Sequence, residues 1–141
     1  MYGAFMAGLK AAQTAPTWPD INGSFIPASI NELSPFYKNL VNNNITVQFI
    51  HRGLAYLLLV LIAAWWFKSS SIKTNKLFSF LRNAFIAVLL LQVLLGIFTL
   101  LNATHPFRLV WFGIAHQFAG MLLLITAVSL LFVVRKKQAK V

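Results

Sequence analysis

Two histidines stand inside strongly apolar stretches: His51 in VQFIHRGLAYL and His116 in AHQFAGMLLL. An ionisable side chain in a membrane span is costly, roughly 2.5–3.5 kcal/mol on insertion scales for a charged group, so each position calls for a function. Neutral imidazole is a standard metal and haem-iron ligand. Aligning the two histidines sets HRGLAYLLLVL against HQFAGMLLLIT. Each has a polar neighbour, a small residue within four positions, and then an aliphatic run. Gly53 and Ala55 follow His51, and Gly113, Ala115, Ala119 and Gly120 surround His116.

Three elements must position these residues. About 20 apolar residues cross a hydrocarbon core of roughly 30 Å, and the spans Ile45–Phe67, Leu77–Leu101 and Leu109–Val134 satisfy that length. Short connectors, KSSSIKTNK and NATHPFR, make neighbouring helices antiparallel. Lys68, Lys73, Lys76 and Arg82 surround the first connector, and Arg135, Lys136, Lys137 and Lys140 form the tail. The positive-inside rule puts both on the cytoplasmic side, with the carboxy terminus, in what reads as a bacterial plasma membrane. The first and third spans then run parallel, from outside to inside. His51 lies about 9 Å down one and His116 about 10 Å down the other, at 1.5 Å per residue. Two histidines at matching depth, among small residues that open space for a flat macrocycle, fit an axial bis-histidine haem held between facing helices. The competing reading is helix–helix hydrogen bonding and close packing. Zinc fits less well, because two histidines without a third protein ligand or carboxylate fall short of its usual set.

Arg52 points about 100° around the helix from His51, and snorkels outward or meets an anion such as a haem propionate or a lipid headgroup. Arg108, at the outer mouth of the third span, is a second candidate for that role. Gln92 and Thr99 in LQVLLGIFTLL either bond a ligand or bridge helices, and His105 beside Pro106 reads as interfacial. Trp65, Trp66 and Trp111 read as interface anchors.

The composition agrees with a membrane protein. The chain is 59% hydrophobic and 10% charged, against about 45–50% and 25% in soluble domains. It contains no cysteine, which removes disulfides and thiolate chemistry. Its only acids, Asp20 and Glu32, lie in one polar segment, so no carboxylate in a span offers general acid/base catalysis and no residue is assigned as catalytic. The net charge of +10 is spent flanking the spans, which argues against nucleic acid as a partner and for membrane lipid.

Three regions follow. Residues 1–13, MYGAFMAGLKAAQ, read as the end of a truncated transmembrane helix: too short to span, and without the basic region of a signal peptide. Residues 14–44, with four prolines and the aromatics Trp18, Phe25, Phe36 and Tyr37, read as an extracytoplasmic loop packed as a lid, with room for short interfacial helices. Residues 45–141 form a three-helix haem-binding segment with a basic tail.

The motifs GAFMAGLKA, TWPDINGSFIP, VQFIHRGLAYL, LQVLLGIFTLL and AHQFAGMLLL, in that order, resemble the carboxy-terminal half of the haem A synthases, the cytochrome oxidase assembly family. The resemblance implies half of an eight-helix all-α membrane bundle, with three complete transmembrane helices and the end of a fourth. It implies an oxidoreductase that converts haem O to haem A for haem–copper oxidases. Its carboxy-terminal histidine pair, matched here by His51 and His116, holds haem b, and the missing half receives haem O. Haem O synthase and oxidase-assembly proteins are the partners it suggests. The family's catalytic half has a glutamate three residues before its first histidine. Gln48 stands there instead, which agrees with the cofactor half and implies that this chain alone is incomplete and inactive. The cysteine pair of some members is also absent. Two alternatives remain at this point: a standalone bis-histidine electron-transfer module, completed by a partner or as a homo-oligomer, and a non-catalytic membrane assembly protein.

Overall fold

The computed structural model describes residues 1–71 and 76–138, the last three by backbone alone. Lys73 and Lys140, two of the topology signals, lie outside the described residues. The protein is all-α: α1 (Tyr2–Gly8), α2 (Tyr37–Asn42), α3 (Asn44–Ser69), α4 (Lys76–Leu101) and α5 (Pro106–Gln138), with single 3-10 turns at Ala11–Gln13 and Ala28–Asn31. Among the described residues the extended structure amounts to one isolated bridge between Ile21 and Ser24.

Helices α3, α4 and α5 are long and apolar enough to cross a membrane, and the protein is an integral membrane protein. Each extends beyond the apolar run that announces it, because backbone geometry and capping, not hydropathy, end a helix. At α3 the cap is Asn43, whose Oδ1 accepts from the amides of Ile45 and Thr46 at 2.9 and 3.2 Å. It satisfies two of the amides that a helix start leaves unpaired. At α5 the helix begins at Pro106, three residues before the expected Leu109. Proline suits a first helical position, since its fixed φ is already helical and its missing N–H is not needed there. The Leu109 amide bonds back to the His105 carbonyl at 2.9 Å.

Helix α5 lies antiparallel along α4, as the descending pairs Phe98–Phe112 (stacked, 5.7 Å) and Gln92–His116 show. Leu89 and Leu100 of α4 and Ala119 and Leu130 of α5 are buried. Helix α3 packs antiparallel on α4 at its other end, with Trp65 edge-on to Phe78 and Phe85 and Trp66 donating to Asn83 at 3.1 Å. Most remaining apolar side chains of the three helices, such as Val60, Phe98 and Ile125, are exposed. In lipid that exposure carries no hydrophobic penalty, and helix association rests on packing and hydrogen bonds.

The segment 14–44 does carry short helices, but aromatic packing does not hold it. Trp18, Phe25, Phe36 and Tyr37 are exposed, which corrects the expectation of an aromatic-packed lid. Polar bonds fasten it instead. Asn39, 1% exposed, accepts from the Leu33 amide and donates to the Leu33 and Phe36 carbonyls. Asn43 donates to the Ser29 carbonyl and Thr46 to that of Ile30, both at 2.7 Å. A loop backbone full of carbonyls is more readily held by amide and hydroxyl donors than by rings with no polar partner.

Candidate functional site

His51 on α3 and His116 on α5 meet, with ring centroids 6.4 Å apart and planes at 79°. The three-helix arrangement produces this contact. Helices α3 and α5, both antiparallel to α4, run parallel and bring the two rings together. An imidazole–metal bond of about 2.0–2.1 Å plus a ring radius of roughly 1.1 Å puts two trans imidazoles about 6.3 Å apart, centre to centre. The observed ring spacing is close to that distance. Among the described residues no group of three or more His, Cys, Asp or Glu converges.

The small residues divide by role. A methyl group built on Gly53 or Gly113 would meet nothing within 4 Å, and Gly53 lines a cavity beside Arg52. On Gly3 it would lie 3.8 Å from Cε1 of His51, which places α1 over that ring. Gly96, not singled out by its sequence, stands tightest: a methyl group there would lie 3.0 Å from Cε1 of His116.

His116 is tied to α4 at both nitrogens. Nδ1 lies 3.0 Å from the main-chain oxygen of Gln92, and Nε2 lies 3.3 Å from its side-chain Nε2. Among the described residues the Gln92 Oε1 is buried without a partner. Of the two mid-span polar residues, Gln92 therefore bridges helices. Thr99 bonds back to the Leu95 carbonyl of its own helix at 2.7 Å.

Gln48 and Arg52 face the outer segment. Gln48 is wholly buried. Its Nε2 donates to the carbonyls of Ala11 and Ala15, both at 3.2 Å, and its Oε1 accepts from Arg52 at 3.0 Å. Arg52 donates further to the Asp20 carbonyl at 2.6 Å and the Thr17 carbonyl at 2.8 Å. Among the described residues its Nε is buried without a partner. The cavity beside it, lined by Phe25, Phe49, Arg52 and Tyr56, holds about 180 Å³, below the roughly 300–1,000 Å³ of usual ligand pockets. Arg108 is exposed at the start of α5, away from these bonds, as is His105.

Comparison with known proteins now bears on this geometry. The family model for cytochrome oxidase assembly protein matches residues 1–128. This chain belongs to that family. Proteins named haem A synthase are similar along most of it. The one from Beijerinckia indica is 39% identical over 90% of this chain and 35% of its own length. That of Nitrosospira multiformis is 38% identical over 89% of this chain and 34% of its own. That of Rhodopseudomonas palustris is 40% identical over 89% and 34%. The chain thus spans about a third of the length of the curated relatives it matches. No solved structure matches it.

Proposed function

We propose that this chain is the haem b-holding part of a haem A synthase, an oxidoreductase that converts haem O to haem A for haem–copper oxidases, and that His51 and His116 are the axial ligands. The observation that carries the reading is the 6.4 Å spacing of the two imidazoles, in a chain of the cytochrome oxidase assembly family. The donor set, two imidazoles in contact, fits such a group. Bound haem supplies one-electron transfer through its iron; the protein supplies ligands, a dry site and orientation.

Gln48 supports a holding role for this part of the protein. It has no carboxylate to act as a base, and all its polar atoms are committed to Ala11, Ala15 and Arg52. The oxidation of haem O is assigned outside these residues. Arg52, through its Nε, and Arg108, exposed at the outer mouth, are the proposed propionate contacts. Membrane lipid, oxidase-assembly partners and the packing of these helices as half of an eight-helix bundle belong to the same proposal.

The test is the spectrum of the purified full protein. A low-spin bis-imidazole haem signature is expected, and His51→Ala and His116→Ala are each expected to abolish it. Retention of that signature in either variant would falsify the ligand assignment.

A further inference from the structure

His116 packs so closely on α4 that a side chain at position 96 would press on it, and the ring would have to give by a few tenths of an ångström. In an α-helix the Cα–Cβ bond tilts toward the N-terminus, so a residue covers the turn before its own. A side chain at 96 would therefore lie over the turn that contains the Gln92 carbonyl. Gly96 leaves that carbonyl uncovered, and Nδ1 of His116 reaches it at 3.0 Å. The tight contact that an added methyl group would make is specific. Its three nearest neighbours are Cε1 at 3.0 Å, Nδ1 at 3.4 Å and Nε2 at 3.8 Å, all of His116.

A carbonyl oxygen only accepts, so Nδ1 must carry the proton in this contact. Neutral imidazole has one N–H, and Nε2 is then left with its lone pair. The Gln92 amide nitrogen, 3.3 Å from Nε2, donates to that lone pair in the same tautomer. Gly120 leaves room for this amide, since a methyl group there would lie 3.2 Å from it.

Resting on the haem reading above, we propose that Gly96 and the main-chain carbonyl of Gln92 are positioning elements for the His116 ligand: the glycine opens the carbonyl, the carbonyl holds Nδ1–H, and Nε2 is presented to iron. Metal-bound histidines commonly donate their second N–H to such a partner, which fixes the tautomer and ring orientation and raises ligand basicity. The Gln92 side chain occupies the lone pair before loading and is dispensable afterwards.

The first test needs no haem. Nitrogen-15 NMR of histidine-labelled full protein before haem loading should show His116 protonated at Nδ1, and an Nε2–H tautomer overturns the proposal. The second uses the loaded protein. Gly96→Ala should weaken haem binding about 10-fold or more and shift the reduction potential, whereas Gln92→Leu, which keeps the carbonyl, should retain the bis-imidazole signature. Alanine is a better helix former than glycine by about 1 kcal/mol, so weakened binding in Gly96→Ala is not a helix-propensity effect. An unchanged potential and affinity in Gly96→Ala, or loss of the signature in Gln92→Leu, overturns the proposal. Absence of haem from the parent protein would instead count against the haem reading, with the tautomer result standing by itself.

Discussion

Gln48 illustrates how one atom type decides a position. Its amide nitrogen faces two carbonyls, of Ala11 and Ala15, where a carboxylate oxygen would face two other acceptors. An unsatisfied buried polar group costs about 1–3 kcal/mol. Gln48→Glu is therefore expected to loosen the segment 11–20 by that order, partly offset by Arg52 beside it. Limited proteolysis checks this: cleavage within 11–20 should accelerate in the variant, and cleavage at the parent rate would remove the donor role. The glutamine was readable from sequence as a departure from a family pattern. What it does here was not, because its partners are main-chain carbonyls more than thirty residues away.

At the scale of elements, the outer segment is organised by short polar links and not by a core. Asp20 belongs to one of them, its Oδ1 accepting from the Gly23 amide at 3.1 Å, next to the bridge between Ile21 and Ser24. The Gly23 amide, then the Thr17 hydroxyl and the nearby Arg52, hold the Asp20 carboxyl below its ordinary value. The sign is that of a stabilised carboxylate. Its contribution is complete above the ordinary aspartate pKa of about 3.9 and is lost as pH falls through the lowered folded value. Hydrogen exchange at the Gly23 amide should therefore be unaffected by pH in its protection factor near neutrality, and that protection should fall below about pH 4. Asp20→Asn, which keeps an acceptor without the titration, should flatten the acid limb. Among the determinants of this segment, Asn43 caps α3 from within a run of three asparagines, and nothing in that run marks which of them is the cap. Asn39 and Thr46 gave no signal either, since their partners depend on how the chain turns.

For the whole molecule, three long apolar helices and basic residues gathered at one end set its relation to the bilayer. Lys68, Lys76, Arg82 and Arg135 lie at or near the ends of α3, α4 and α5 that we propose face the cytoplasm. The chain has no cysteine, so single cysteines report topology directly. With any cysteine elsewhere in the full protein removed, Ser70→Cys should react with a membrane-impermeant maleimide only from the cytoplasmic face. Asn22→Cys should react only from the opposite one. The reverse pattern would invert the proposed orientation and leave the histidine geometry intact.

The sequence by itself determined that the protein is helical and crosses the membrane three times with its described spans, because length and hydropathy of a segment are local properties that lipid reads directly. It also brought His51 and His116 to a common depth, since rise per residue is constant along a helix. Tertiary structure decided the rest: that the rings lie 6.4 Å apart, that Gly96 clears the way for His116, and that Gln48 and Arg52 fasten the outer segment. Those outcomes depend on how far each helix is rotated about its own axis and on which carbonyls a folded loop presents. Neither quantity is carried by any single stretch of the chain.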